Sequence, residues 1–413
     1  MAFRDRPQSI WAFPLIALAV ALALLGSDWS GLASGLRGAL FDAYQRAKPR
    51  DYQDAQVRVL EVDPDSIRKH GAWPWSHAVI ARVVGELYAQ GAKMVVLDLP
   101  LDKTDPASPA RLAADIPVGP EFDRARAAVQ ALPSPDTALA TAITQMPTVT
   151  GFELGASGAS FMPRKTIRFT GPDNLFARTK LFQSASPPLP PLLAASIGTG
   201  ATNLIADSDG VLRRVPLVFR LRGAPVASLD AEALRVAKNG RRLTFQASEG
   251  GELFTGDKGV ASLDGYGHVL PTAPDGSLWI AFARDTDARK VSASALDQNR
   301  VAPGTLRNAV VYIGAPDKFT MTPMGSRTQT SVHAEALEDM LLGTVLRRPQ
   351  AANSAELAFL ALCGLAMIFL LARFSVWWAG LFGVGAIAGA GAVSWQLFAA
   401  NHVLLDALGP GLG

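Results

Sequence analysis

Two short apolar runs and the stripe of apolar residues between them predict the first structural unit of the chain. The runs are Val57–Val62 and Met94–Leu99, and their β-branched valines favour strands. Gly91 stands just before the second run, where a glycine that ends a helix is expected. The apolar positions between the runs recur with helical spacing and predict one helix; they are Val79, Ile80, Val83, Val84, Leu87 and Tyr88. A strand, a helix and a strand in this order indicate parallel pairing.

Strand and helix signals alternate through the rest of the chain and predict an α/β domain with a central, largely parallel sheet. The region 239–275 is rich in glycine, and we expect irregular structure with hairpins there. Further helices are predicted over Leu32–Ala47, Phe122–Gln130, Asp136–Gln145, Ser228–Ala237, Val291–Leu296 and Val332–Leu342. Further strands are predicted over Thr148–Phe152, Val215–Phe219, Leu278–Phe282 and Ala309–Ala315.

Long uncharged runs near both ends of the chain predict transmembrane helices. Mean hydropathy is +0.19 and the charged fraction is 18%, which suits a membrane-anchored chain better than a soluble one. Arg4 and Arg6 precede the first run, so the positive-inside rule places the N-terminus in the cytoplasm and the large domain outside. An uncleaved anchor is favoured over a signal peptide. The predicted divisions are a cytoplasmic tip with a first span (1–27), a periplasmic domain (28–350), two further spans (356–373 and 374–400) and the start of a third C-terminal span (401–413).

Composition narrows the possible functions. The single cysteine, Cys363, permits no disulfide within the chain. Basic residues are scattered and the net charge is +3, so no nucleic-acid partner is expected. The five histidines lack metal-ligand spacing, and no catalytic or phosphate-binding motif is present. We therefore expect no catalytic residues, no metal and no cofactor, and the uncharged runs make the lipid bilayer an expected partner.

Acidic, aromatic and basic residues near the predicted strands are candidates for binding a ligand. Asp63 and Asp98 end two predicted parallel strands, and ligands tend to bind beyond such ends. If the strands are neighbours, the two carboxylates could hold a cation or an amine, or could cap helices and loops. Trp73 and Trp75 could form an aromatic wall, or could be core residues at a helix entry. Arg214 could hold an anion; Arg213 would then point the opposite way, because consecutive residues of a strand alternate.

Several short motifs, in order along the chain, resemble those of the CHASE2 family, the extracytoplasmic sensory domain of bacterial transmembrane receptors. The resemblance covers about Phe41–Pro349, and it adds Asp105 to the candidate ligand-binding residues. The matching motifs are Val62-Asp63-Pro64-Asp65-Ser66, Gly71-Ala72-Trp73-Pro74-Trp75, Gly91-Ala92-Lys93, Val96-Leu97-Asp98, Asp105-Pro106-Ala107-Ser108-Pro109, Asp207-Ser208-Asp209-Gly210 with Arg213-Arg214, Thr322-Pro323-Met324-Gly325 and Val332-His333-Ala334-Glu335-Ala336-Leu337.

The resemblance implies a sensory module in the inner membrane that binds an extracytoplasmic ligand and acts as a homodimer. Receptors of this kind have three helices after the sensor and then a cytoplasmic output domain, most often a class III adenylate cyclase. We therefore expect that the output domain is missing from these 413 residues. The alternatives are the sensor of a histidine or Ser/Thr kinase, a tethered periplasmic hydrolase, and an accessory protein that assembles with another membrane protein.

Overall fold

The structure, a computed structural model, describes residues 32–156, 158, 161–248, 259–298, 300–349, 351–374 and 376–406. The predicted N-terminal span lies outside these described residues. The helices are α1 (Leu32–Ala47), α2 (Pro64–His70), α3 (His77–Ala89), α4 (Pro109–Ala114), α5 (Asp123–Gln130), α6 (Pro135–Gln145), α7 (Pro190–Ala195), α8 (Leu229–Ala237), α9 (Ala293–Asp297), α10 (Gln329–Leu342), α11 (Ala352–Arg373) and α12 (Val376–Asn401). The strands are β1 (Val57–Glu61), β2 (Met94–Asp98), β3 (Thr148–Gly155), β4 (Ile167–Thr170), β5 (Leu181–Phe182), β6 (Ser184–Ser186), β7 (Gly198–Ala201), β8 (Arg214–Pro216), β9 (Val218–Leu221), β10 (Ala224–Ala227), β11 (Leu243–Ser248), β12 (Gly259–Asp264), β13 (Val269–Pro271), β14 (Ser277–Trp279), β15 (Lys290–Ser292), β16 (Val310–Gly314), β17 (Phe319–Thr322) and β18 (Gly325–Thr328).

A central sheet in the order β15-β1-β16-β2-β3 organises the domain, and every pairing along this path is parallel. Beyond β2, β3 pairs with β7 in parallel and with β6 in antiparallel orientation. The predicted α/β class and the largely parallel sheet are therefore confirmed. The predicted first unit is present as β1, α3 and β2. Its two strands are not neighbours, however, because β16 lies between them.

Both faces of the central sheet are buried, and the alternation of side chains along its strands divides the core in two. Val57 and Val59 of β1 join one cluster with α8 and α10, whereas Leu60 joins another with α3 and α6. On β16, Tyr312 lies in the first cluster and Ile313 in the second. The continuous apolar runs read in the sequence are thus the signature of strands that helices cover on both faces.

Two predicted elements differ from the structure, and the hairpins expected in the region 239–275 are present. Val215–Phe219 is not one strand: β8 and β9 flank Leu217 and belong to different sheets. The predicted helix Val291–Leu296 begins with a strand, because β15 extends the central sheet beside β1 before α9 starts. Within the region 239–275, β11, β12 and β13 pair as antiparallel neighbours, and β4 joins β11 to complete a four-stranded sheet.

Two long apolar helices, α11 and α12, follow the domain and pack against each other. The spans Ser354–Arg373 and Val376–Asn401 are long and apolar enough to cross a membrane, and little of either is buried within the protein. Trp377 is 84% exposed at the turn between them, as expected of an aromatic residue at a membrane interface. Both C-terminal apolar helices were predicted. After α12, residues 402–406 are not helical, and the rest of the predicted third span lies outside the described residues.

Candidate functional site: the membrane-proximal junction

Asp63 stands at the carboxyl end of β1, where its carboxylate caps the N-terminus of α2. Its Oδ1 atom accepts hydrogen bonds from the backbone nitrogen and the hydroxyl of Ser66, at 2.7 and 2.6 Å. Its Oδ2 atom accepts a hydrogen bond of 2.5 Å from the hydroxyl of Ser292. Burial alone would raise the pKa of Asp63, but these hydrogen bonds outweigh it and hold that pKa below its ordinary value.

Asp98 ends β2 and accepts a hydrogen bond of 2.8 Å from the hydroxyl of Thr330 on α10. Burial raises the pKa of this carboxyl group against the opposing effect of His333. Because β16 separates β1 from β2, Asp63 and Asp98 are two strand spacings apart, about 10 Å between the strand axes. The condition for a shared cation site, that the two strands are neighbours, is therefore not met, and Asp63 instead caps α2, the alternative that the sequence left open.

Asp105 is buried, and it holds a helix start and a loop in place. Its carboxylate accepts hydrogen bonds from the backbone nitrogens of His77, at the start of α3, and of Ala107. The His77 ring pairs through Nδ1 with Asp136 at 2.6 Å, and the same Asp136 oxygen accepts the backbone N–H of Asp105. Burial opposes ionisation of Asp105, yet the backbone hydrogen bonds lower its pKa. This arrangement fastens α3 to α6.

The aromatic pair Trp73 and Trp75 belongs to the core beneath α3. The two ring centroids are 5.4 Å apart, and Trp75 is buried while its Nε1 donates to the carbonyl of Gly71 at 3.0 Å. His70 stacks edge-on against Trp75. The structure thus places these residues among packing contacts, and it does not bring the six candidate residues together in one cleft.

Arg214, the remaining candidate, lies in a separate region beside a cavity of about 510 Å³. Its guanidinium stands over the ring of Trp279 and pairs with Asp207 at 2.6 Å and with Asp275 at 3.3 Å. Arg213 also pairs with Asp207, at 2.9 Å, and both arginines line the cavity. The expectation that they point opposite ways is wrong, because Arg213 precedes β8 and the strand alternation does not extend to it.

Arg213 joins the domain to α1, the helix that follows the predicted first span. Its Nε and Nη2 atoms donate to the two carboxylate oxygens of Asp42 on α1, at 2.7 and 2.8 Å. The same guanidinium donates to Asp207 and Asp209. Burial alone would lower the pKa of Arg213, but the hydrogen bonds to these three carboxylates raise it. A Cβ atom at Gly38 would lie 2.9 Å from the Arg213 Cζ atom, so the missing side chain at Gly38 leaves room for the guanidinium against α1.

A second buried charge network fixes the chain just after α1. Arg50 pairs with Glu338 and Asp339 of α10, both at 2.9 Å, and both carboxylates are fully buried. Arg289 donates to both oxygens of Glu338 at 2.7 Å. Arg327 pairs with Glu335 on the same helix. Burial raises the pKa of Asp339 well above its ordinary value. Because α10 also packs on the central sheet, this network connects the sheet with the entry from α1.

The C-terminal helices meet α1 at the same place. The hydroxyl of Tyr44 donates to Ser394 of α12 at 3.1 Å, and its ring contacts Phe398. Arg37 pairs with Asp406 at 3.3 Å. The chain leaves the domain at the start of α11 and returns to it after α12. There Val403 forms a parallel bridge with Arg347, which precedes α11. We call this region the membrane-proximal junction; it comprises α1, residues 48–50, 207–214, 279–283 and 344–348, residues 335–339 of α10, the start of α11, the end of α12 and residues 402–406.

The junction residues escaped sequence-based reasoning because their partners lie far away in the chain. Asp42 and Arg213 are separated by 171 positions, and Arg50 and Glu338 by 288. One signal was available: Glu335, Glu338 and Asp339 fall at helical spacing on a helix whose other positions are largely apolar. Three acidic residues on one face of such a helix suggest basic partners, although they do not identify them.

An α/β domain followed by two helices that are long and apolar enough to cross a membrane is typical of the class of membrane-tethered domains. A model of the CHASE2 domain matches residues 15–371, which is most of the 413 residues, and the chain therefore belongs to the CHASE2 family. CHASE2 domains are extracytoplasmic sensor domains. Neither a search of curated proteins nor a search of solved structures found a match.

Proposed function

We propose that this chain is the sensory module of a transmembrane receptor and that the membrane-proximal junction transmits its signal. The observation that carries the proposal is the position of α1, which buried ion pairs join to the sensor domain and which also contacts the end of α12 through Tyr44. A change in the domain that moves Arg213 or α10 would act on α1 directly, through Asp42 and Arg50, and on α12 through Tyr44. Buried ion pairs favour discrete arrangements over gradual ones, which suits a two-state device.

In this proposal the sensor domain lies in the periplasm and the α11–α12 turn, with Arg373, lies on the cytoplasmic side of the inner membrane. The receptor works as a homodimer and senses an extracytoplasmic ligand. Its output domain follows a further span and is a class III adenylate cyclase. The family membership and the two apolar helices support this arrangement. A kinase output and an accessory role without output are the alternatives that the tests below distinguish.

The natural open reading frame is the first test. If cyclase sequence follows residue 413 after one further apolar helix, the proposed output is supported. A kinase sequence there would contradict the cyclase and favour the first alternative. A stop codon directly after Gly413 would contradict the receptor proposal and favour the accessory role.

The second test measures coupling in the natural gene product. The full receptor is produced in bacteria that lack their own adenylate cyclase, and cyclic AMP synthesis is measured in membrane fractions. Asp42→Asn removes the charge that holds Arg213, so we expect a several-fold change in activity at equal protein level. Asp65→Asn, at an exposed position of α2, is the matched control and should leave activity unchanged. Equal activity of both variants and the parent would refute a signalling role for this ion pair.

A further inference from the structure

A cavity of about 310 Å³ lies at the carboxyl ends of β1 and β16, against the start of α10. These two strands are adjacent and parallel, but the helices that follow them cover opposite faces of the sheet. The helix between β1 and β2 is α3, and its Leu87 packs in the cluster of Leu60. The helix after β16 is α10, and its Leu337 packs in the cluster of Val59. In parallel α/β sheets, ligands bind in the crevice at such a switch between faces.

Two arginines line this cavity and keep one free donor each. The side chain of Arg289 is 3% exposed and that of Arg327 is 9% exposed. Arg289 uses Nε and Nη2 for Glu338, which leaves its Nη1 atom. Arg327 donates from Nη1 to Glu335 and from Nη2 to the carbonyl of Ala283, which leaves its Nε atom. Within the described part of the chain neither atom has an acceptor, and neither is enclosed by protein, so both are accessible to a ligand.

The start of α10 adds a partial positive charge to the same cavity. Thr328 caps this helix, because its hydroxyl accepts the backbone N–H of Ser331 at 3.3 Å, and both residues line the cavity. The dipole of an α-helix places about half a positive charge at its N-terminus. A carboxylate group in the cavity would therefore face this charge together with the two free arginine donors.

The acidic residues of the lining belong to its exposed side. Glu61 ends β1, is exposed and has no ion-pair partner among the described residues. Asp285 is 65% exposed and pairs with Lys290 at 3.0 Å. The cavity thus combines buried positive groups with exposed negative ones. A molecule with an anionic group at one end and a cationic group at the other is complementary to this arrangement.

We propose that this cavity binds a small zwitterion of the α-amino acid type. The carboxylate of the ligand accepts hydrogen bonds from Nη1 of Arg289 and Nε of Arg327 beside the start of α10, and its ammonium group faces Glu61. Guanidinium groups are well suited to carboxylates at buried sites. The volume of about 310 Å³ is at the lower end of the range for small-molecule pockets, which suits a ligand of this size.

The site deepens the proposed function, and its role in signalling rests on that proposal. Glu338 connects the cavity with the membrane-proximal junction, because Arg289 donates to both of its oxygens at 2.7 Å and Arg50 pairs with it at 2.9 Å. A ligand that draws Arg289 toward the cavity therefore alters the partner of Arg50, directly after α1. Binding is measured on the chain without an output domain, so that a failure to bind and a failure to signal are separate results.

Thermal unfolding of the purified 413-residue chain in an uncharged detergent tests the site. Each of the common amino acids is added in turn at constant pH and ionic strength, and inorganic phosphate is added in a parallel arm. We expect a saturable rise in Tm with at least one amino acid, because a ligand that binds the folded state stabilises it. A rise with phosphate alone would assign the cavity to simple anions and overturn the proposal, as would the absence of any rise.

Two analogues of the amino acid that binds best then test its two ends. The amide lacks the carboxylate, and we expect its affinity to fall about tenfold or more. The deaminated acid carries hydrogen in place of the ammonium group, and we expect only a several-fold loss, because Glu61 is exposed. An amide that binds as tightly as the free amino acid would contradict the carboxylate site. A deaminated acid that binds equally well would contradict the contact with Glu61.

Ser331→Glu introduces a negative charge into the cavity without removing the helix start. Glutamate three residues after an N-cap threonine completes a capping box, so α10 should still begin at the same place. We expect the affinity for the amino acid to fall about tenfold or more, because the new carboxylate repels that of the ligand. Thr137→Glu, at the equivalent and exposed position of α6, is the control and should retain the parent affinity. Equal affinities of the two variants would overturn the site.

Glu61→Gln provides a second route if Ser331→Glu does not fold. Glu61 is exposed, so the substitution should leave the fold intact. We expect a several-fold loss of affinity for the amino acid and no loss for the deaminated acid, because each change removes one half of the same contact. Glu121→Gln, at an exposed position before α5, is the control for charge. An equal loss for both compounds, or no loss for either, would contradict the assigned position of the ammonium group.

Discussion

Carboxylates at the carboxyl ends of the central strands and carboxylates at the membrane-proximal junction are held by different partners. At the sheet edge, Asp63 accepts from hydroxyl and backbone donors, and Asp105 accepts from backbone nitrogens. At the junction, Asp42, Glu338 and Asp339 each face a guanidinium. The first group terminates helices and loops, whereas the second connects the domain to α1 and the residues directly after it.

A sequence motif can therefore suggest a role for a residue that its partners in the folded structure do not support. An aspartate at a strand end is conspicuous in a sequence, but neutral donors nearby satisfy it and leave little for a ligand. A buried ion pair has no local sequence pattern, yet it joins distant segments and is costly to break. The comparison therefore predicts large effects at the junction and small ones at the sheet edge, whatever the two regions suggest from sequence alone.

The largest effect is expected from Arg213→Met. The substitution keeps an apolar stem of similar length and leaves the buried Asp42 carboxylate without its partner, which costs about 3–5 kcal/mol of stability. In detergent, Arg213→Met should lower the Tm of the chain more than any other variant discussed below. Thermal unfolding measures this, and Arg222→Met, which carries the same change on the turn after β9, is the control. If Arg213→Met lowered the Tm no more than Arg222→Met, the ion pair at the junction would contribute no more to stability than an exposed arginine.

A buried histidine between the two regions gives a pH-dependent effect. Burial alone would lower the pKa of His333, but Asp230, whose carboxylate lies 2.7 Å from Nδ1, and Asp98 together raise that pKa to about 9. Protonation therefore stabilises the fold fully below the ordinary histidine pKa of about 6.5, and this stabilisation, about 3 kcal/mol, is lost as the pH rises through 9. The Tm should fall over this range in the parent chain.

His333→Gln should flatten that alkaline fall and should lower the Tm most at neutral pH, where the parent still carries the charge. His402→Gln is the control. The pKa of His402 is lowered by burial and by Lys48 and Arg347, so its protonation acts only under acidic conditions. If the Tm of His333→Gln and that of the parent chain changed with pH in the same way, His333 would not carry the positive charge assigned to it.

Gly38→Ala tests how closely α1 approaches Arg213. The new methyl group would lie 2.9 Å from the guanidinium carbon and would displace it from Asp42, at a cost of about 1–3 kcal/mol. Gly35→Ala is the control on the same helix. Nothing lies within 4 Å of a Cβ there, so this change should be neutral or should stabilise the helix by up to about 1 kcal/mol. A Tm that falls for Gly38→Ala and does not fall for Gly35→Ala would confirm the contact. Equal changes in Tm for both variants would contradict it.

The parts of the fold that depend on local periodicity could be predicted from the sequence. The apolar stripe of α3, the valine-rich strands β1 and β2 and the two apolar helices are encoded within short windows. Strand order is not encoded in that way. β16 enters between β1 and β2 from more than 200 residues later, and pairing across such a distance leaves no spacing to detect.

The candidate site was predictable to a smaller extent. Arg214, a candidate for holding an anion, lines the large cavity, but Arg213 and Asp42 carry the connection to α1. Alternation along a strand was the wrong rule for Arg213, since regular structure begins one residue later. Free donors such as the Nη1 atom of Arg289 are identified only when the acceptors around them have been assigned in three dimensions.

The smallest effect is expected at the sheet edge, from Asp63→Ala. Loss of the cap on α2 and of the bond to Ser292 should cost about 1–2 kcal/mol, the usual range for removal of a helix N-cap and less than the cost of a broken buried ion pair. Asp65→Ala in the first turn of α2 is the control for charge, and Asp63→Asn should retain most of the cap. Thermal unfolding under the conditions used for Arg213→Met gives the direct comparison. If Asp63→Ala lowered the Tm as much as Arg213→Met, its carboxylate would hold the domain together as firmly as the junction does, and the proposed division between the two regions would be wrong.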